Sequence, residues 1–222
     1  MSGILHEVNI GALALKGLFG APEGARALVI FAHGSGSGRL SPRNNYVAEA
    51  LRESGLATLL LDLLTPEEEI RRSKVFDIPL LAKRLLIATA WAKEQAATAR
   101  LPIGYFGAST GAGAALVAAA DDDGIFAVVS RGGRPDLAGD ALERVRAPTL
   151  LIVGGDDYPV IGLNREAQQT LKVESELVIV PGATHLFEEP GTLDQVIAHA
   201  SRWFLTYLPQ RKDTRHDVQG QA

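Results

Sequence analysis

Apolar positions along the chain fall into short runs punctuated by glycine, serine, proline and charged residues, and the runs change type in a regular order. Residues 5–10 and 12–19 alternate apolar and polar side chains, as half-buried strands do. Residues 27–33 are apolar without a break until His33, the pattern of a strand covered on both faces, and they end in Gly34-Ser35-Gly36-Ser37-Gly38. A helix is expected over residues 44–54, leading through Gly55 into a second buried strand at 57–61. Residues 79–99 put Leu81, Leu85, Ala88 and Ala92 on one helical face. An apolar run follows at 101–106, where Pro102 opens a strand, and after five more residues comes the small-residue stretch 112–120. Further strands are expected at 125–130, 149–153 and 176–180, with helices between them. A last helix carries Leu193, Val196, Ile197, Ala200 and Trp203 on one face. Strands alternating with helices predict an α/β fold, a mostly parallel central sheet with helices on both faces. Residues 1–208 read as one domain and the polar, aperiodic residues 209–222 as a frayed tail. The connection between the strands at 125 and 149 is short, which leaves no material for a sizeable lid domain and predicts an open, shallow site.

Composition narrows the chemistry. The 22 Lys and Arg against 26 Asp and Glu give a formal charge of −4, and the basic residues are scattered, which argues against nucleic acid as a partner. With no cysteine, disulfides, thiolate metal sites and a cysteine nucleophile are excluded. The first twenty residues lack the charged and apolar regions of a secretion signal. No apolar run approaches the ~20 residues that span a bilayer, so no membrane partner is expected and the protein reads as cytoplasmic. No histidine and carboxylate spacing resembles a metal site, and no cofactor is expected. The expected partner is a small-molecule ester or acyl substrate, with a homodimer left open.

The five residues between the 101–106 run and the small-residue helix are Gly107-Ala108-Ser109-Thr110-Gly111, a G-x-S-x-G sequence with a strand before it and a helix after it. Such a turn holds a serine hydroxyl above the sheet edge, and the small flanking residues keep neighbouring backbone from clashing. A serine hydroxyl needs an imidazole base, and the imidazole needs a carboxylate to fix its tautomer and stabilise its charged form. In the elbow arrangement the acid and the histidine follow the ends of later strands, in that order. Asp157 follows the strand at 149–153 in G-G-D-D-Y-P-V, and His185 follows the strand ending at 180 in P-G-A-T-H-L-F. The carboxyl ends of parallel strands converge on one edge, which would gather Ser109, Asp157 and His185. Adjacent Asp156 competes for the acid role, and Asp157 is preferred. His6, His216, His199 and His33 are weaker candidates for the base. The plain alternatives are a helix N-cap for Ser109 and a surface-loop residue for His185.

An oxyanion formed at this serine needs two backbone N–H donors, one from the residue after the nucleophile and one from the loop after the third strand. Thr110 supplies the first, and Ser35 in the H-G-x-G loop the second, with Gly34 beside it. As a phosphate cradle the same loop lacks the lysine of G-x-x-x-x-G-K-[ST]. As a dinucleotide fingerprint it reads G-x-G-x-G. Arg39 and Arg43 follow this loop, and Arg131 and Arg134 follow the strand at 125–130. An arginine fork could hold a substrate carboxylate or phosphate, and solvated surface is the plain alternative. Asp62, at the end of the strand at 57–61, reads as a brace for the loop.

On H-G-S-G-S-G at 33–38, G-A-S-T-G at 107–111, L-I-V-G-G-D-D at 151–157 and G-A-T-H at 182–185, the chain resembles the α/β-hydrolase superfamily. Within it the resemblance is to small, lidless members related to dienelactone hydrolases. S-P-R-N-N at 41–45 and S-R-G-G-R-P-D at 130–136 look like hydrolase-like domains that occur alone or fused to phosphoribosyltransferase domains. Dienelactone hydrolases themselves carry a cysteine at the elbow, where this chain has Ser109. The resemblance therefore implies a serine hydrolase of small carboxylic esters or lactones, working through an acyl-enzyme. The other expectations left open are a binding or regulatory module with little turnover and a thioesterase or acyltransferase on the same triad.

Overall fold

The computed structural model describes residues 4–210. In chain order the elements are β1 (His6–Ile10), β2 (Leu15–Gly20), β3 (Leu28–Ala32), α1 (Pro42–Glu53), β4 (Ala57–Leu61), α2 (Pro66–Glu69), α3 (Arg72–Val75), α4 (Ile78–Glu94), β5 (Ile103–Ala108), α5 (Thr110–Asp121) and β6 (Ile125–Arg131). A 3-10 stretch (Pro135–Arg144), β7 (Thr149–Gly154), α6 (Tyr158–Thr170), β8 (Ser175–Val180) and α7 (Thr192–Thr206) complete it. The strands form one sheet in the order β1-β2-β4-β3-β5-β6-β7-β8. β2 pairs antiparallel with β1 and β4, and every other neighbouring pair is parallel.

Where element ends differ from the sequence pattern, the causes are local. The second strand starts only at Leu15 because Gly11 and Ala14 take φ of 63° and 49° in the hairpin turn. The first helix starts early, at Pro42. Ser41 caps it by accepting the Asn44 N–H, and proline sits where no donor is needed. The fourth helix stops at Glu94, after which the Thr98 hydroxyl donates to the Ala92 carbonyl at 2.6 Å. Residues 211–222 of the expected tail lie outside the described residues.

Period-two alternation in the strands feeds two cores. Leu28, Ile30, Leu59 and Tyr105 face α4, α5 and α6, while Val29, Phe31, Leu60 and Phe106 face α1 and α7. Phe31 and Phe106 stack across β3 and β5 with centroids 4.8 Å apart, fixing the two strands whose ends carry the loop and the elbow. The one element without a sequence forecast is the pair of short helices between β4 and α4. A capping box joins the Thr65 and Glu68 side chains to each other's backbone N–H and starts α2.

Candidate active site

Ser109 sits at φ 49° and ψ −122°, a left-handed conformation that costs a non-glycine residue about 1–3 kcal/mol. The surrounding backbone holds it there. Its N–H donates to the Arg131 carbonyl at 3.2 Å, and its carbonyl accepts from Ala112 and Arg134 at 3.1 and 3.0 Å. Both flanking glycines are required by close approach. A Cβ on Gly107 would lie 2.4 Å from Ala112 Cα, and one on Gly111 would lie 2.2 Å from the Ala32 carbonyl oxygen. The plain N-cap reading of Ser109 does not hold, since its side chain makes no capping bond.

The sheet edge brings the three distant side chains together. Ser109 Oγ lies 3.2 Å from His185 Nε2, and His185 Nδ1 lies 2.6 Å from Asp157 Oδ2. Asp157 occupies the N-cap position of α6 yet makes no side-chain capping bond, so its carboxylate is turned to the imidazole instead. The Asp157 side chain is 11% exposed and that of His185 37% exposed. Asp156 is exposed, and its N–H donates to the Ala183 carbonyl at 3.0 Å, tying the two loops to each other. Gly154 lets them cross, because a Cβ there would meet the Ala183 carbonyl oxygen at 2.4 Å. Glu189 closes the histidine loop by accepting from the Thr184 N–H at 3.1 Å and the Thr184 hydroxyl at 2.6 Å. The Thr184 hydroxyl holds the Glu189 carboxyl below its usual range.

The loop after β3 presses directly on the elbow. A Cβ on Gly34 would lie 2.9 Å from Ser109 Cβ, so this position constrains the backbone and leaves no room for a side chain. The peptide joining Gly34 to Ser35 is held at both ends. The buried His33 ring accepts the Leu63 N–H at Nε2 (3.0 Å), which leaves the proton on Nδ1 to donate to the Gly34 carbonyl at 3.0 Å. At the other end, the Ser35 N–H donates to Thr110 Oγ1 at 3.0 Å. The Thr110 N–H, first in α5, has no intrahelical acceptor, and Thr110 lines the cavity beside Ser109. His33, a weak candidate for the base on sequence, acts on the loop instead, and its one signal is its place before the glycine-rich run 34–38.

These groups open into a cavity of about 690 Å³. Leu64, Glu69, Val75 and Leu81 also line it, supplied by the loop after β4 and by α2, α3 and α4. The site expected to be open is this cavity, walled on one side by the connection after β4. In that connection two four-residue helices leave no apolar periodicity to read.

The arginines separate. Arg39 lines the cavity, but its charge is met by an ion pair with Asp62, whose carboxylate also accepts the Arg39 N–H at 2.6 Å. The pairing leaves Arg39 in the cavity wall with its charge balanced, and it ties the end of β4 to the loop that follows β3. Arg134 is likewise paired, with Asp136. Arg43 donates from Nη1 to Glu188 at 2.7 Å, and its Nε has no partner. Arg131 is 7% exposed and lines the cavity. Its Nη2 donates to the Asn44 amide oxygen at 3.3 Å, while Nε and Nη1 have no acceptor. Burial, reinforced by the charge of Arg43, pulls its pKa down to about 10, so it remains a cation at neutral pH. Among the described residues no group of three or more His, Asp or Glu could hold a metal, and no helix is long and apolar enough to cross a membrane.

A family model described as the dienelactone hydrolase family matches residues 16–206. The chain belongs to that family. It is 61% identical over 203 residues to a Mycobacterium tuberculosis (strain CDC 1551 / Oshkosh) protein named "Putative phosphoribosyl transferase", covering 91% of this chain and 46% of that protein. The chain thus spans about half the length of the curated relatives it matches. Among solved structures, the dienelactone hydrolase of Anabaena variabilis ATCC 29413 is 57% identical, covers 93% of this chain and 98% of its own, and superposes with a TM-score of 0.89. Est1E from Butyrivibrio proteoclasticus shares the fold at 18% identity, with a TM-score of 0.78 over 94% of this chain and 100% of its own. Family and fold together place the chain among α/β-fold hydrolases.

Proposed function

We propose that the protein is a serine hydrolase that cleaves small carboxylic esters or lactones through an acyl-enzyme. The reading is carried by the chain Ser109 Oγ, His185 Nε2, His185 Nδ1, Asp157 Oδ2, with separations of 3.2 and 2.6 Å at the floor of an organic-sized cavity. Ser109 Oγ attacks the carbonyl carbon as its proton passes to Nε2, and Asp157 stabilises the imidazolium that results. The oxyanion is met by the Thr110 N–H, and by the Ser35 N–H once that donor shares or exchanges its Thr110 Oγ1 acceptor. Collapse expels the alcohol, which takes the proton from Nε2. Water then attacks the acyl carbon and gives its proton to Nε2. The second tetrahedral species collapses to free acid, and that proton returns to Ser109. None of these steps calls on a cofactor. Turnover of a short-chain p-nitrophenyl ester tests the reading: Ser109→Ala should lower it by about 10³-fold or more. An unchanged rate would refute it.

A further inference from the structure

An ester bound at Ser109 sends its two halves in different directions, and the cavity walls in those directions differ. The imidazole protonates the departing alcohol oxygen, so the alcohol half lies on the His185 side of β5, the side of β6 to β8. The acyl half is left the side of β3 and β4. Three apolar side chains line the cavity there: Leu64 from the loop after β4, Val75 from α3, and Leu81 from α4, a helix that packs on β1 and β3. Leu64 and Leu81 are 4% and 3% exposed and belong to the buried cluster that includes Ile78 and Leu85, and partly buried Val75 packs against it. This stretch of wall is therefore an edge of the hydrophobic core, fixed by the dense packing behind it.

Charge on this side is either balanced or in water, since Arg39 pairs with Asp62 and Glu69 is exposed. β4 stands two strands from β5, a lateral step of about 10 Å, which an extended acyl chain of roughly six to eight carbons spans. An alkyl chain running the other way would lie against the guanidinium of Arg131, which would lose its remaining hydration without gaining a partner. We infer that the preferred substrates are esters of unbranched fatty acids of about six to eight carbons, with the chain laid toward β4 and its end against Leu64, Val75 and Leu81. Val75, on the four-residue helix α3, helps to set the length. This rests on the hydrolase reading above.

Two isomeric esters of equal size test the placement: methyl hexanoate carries its chain on the acyl half, pentyl acetate on the alcohol half. With each rate normalised to the ester's own alkaline hydrolysis, methyl hexanoate should show a kcat/KM about tenfold higher or more, since each methylene buried is worth about a factor of four. Across p-nitrophenyl esters from acetate to decanoate, kcat/KM should peak at about six to eight acyl carbons. Val75→Asn, which sets an amide against the chain, should lower the isomer ratio about threefold or more. Val75→Trp, which narrows the same stretch of wall, should move the peak to shorter chains. Equal rates for the two isomers, a preference for pentyl acetate, a peak at acetate, or a ratio and peak untouched by both substitutions would overturn the inference. Titration of the Ser109→Ala protein by NMR gives a readout independent of turnover. There methyl hexanoate should bind about tenfold more tightly than pentyl acetate, and adding Val75→Asn should shrink the difference. If the parent protein cleaves none of these esters, the hydrolase reading fails, and this binding difference still decides the acyl wall. Equal binding of the two isomers would sink it.

Discussion

Replacing Thr110 with valine removes one hydroxyl from the peptide that faces the reacting carbonyl and changes little else, since the two side chains have nearly the same shape. The Ser35 N–H then loses its acceptor, and only the His33 contact to the Gly34 carbonyl still orients the peptide. A net neutral hydrogen bond contributes about 0.5–1.5 kcal/mol, so loosening this donor should lower kcat roughly tenfold at most. Removing an oxyanion donor outright costs about 10²–10³-fold, so the size of the effect separates a positioning hydroxyl from one that itself donates to the oxyanion. The assay is steady-state hydrolysis of a short-chain aryl ester, with kcat and KM resolved. KM should hardly move, because the oxyanion forms after binding. Thr110→Ser keeps the oxygen and should stay close to the parent. An unchanged or increased kcat in Thr110→Val would show instead that the hydroxyl does not position the Ser35 amide and competes with the oxyanion for it.

Asp157→Asn should reduce kcat by about 10³–10⁴-fold at neutral pH with the fold intact, measured by ester turnover and circular dichroism together, because an amide can stabilise the wrong imidazole tautomer. Arg131→Met should make the protein more stable. The guanidinium is charged at every pH below its folded value of about 10, and burying that charge opposes folding throughout that range, with the penalty fading only as the pH rises beyond it. Removing it should therefore raise the unfolding free energy at neutral pH by about 1–3 kcal/mol, several degrees in Tm by calorimetry. A lower Tm would mean that the guanidinium supports the fold.

Much of this architecture was legible because its signals are local. Gly107 and Gly111 announce a backbone crowded by Ala112 and Ala32, and the runs before Gly154 and Pro181 mark strand ends that a parallel sheet collects on one edge. What escaped depends on partners far away in sequence. Nothing around Arg39 or Arg131 says that one stands opposite Asp62 while the other is buried beside Asn44 and Phe187. The part of the cavity wall supplied by α2 and α3 escaped for a different reason. Residues 66–75 form helices too short to bury a side chain, so they impose no apolar period, and only the Thr65 and Glu68 capping box marks where they begin.

Ser109 acts as an activated nucleophile, and intact-mass measurement after treatment with a fluorophosphonate, which phosphonylates such a serine with loss of fluoride, reads that reactivity. A single adduct is expected, mapped by peptide sequencing to Ser109, absent from Ser109→Ala and slowed when His185 is replaced by glutamine. A folded parent protein that stays unmodified, or an adduct on another residue that survives Ser109→Ala, would contradict it.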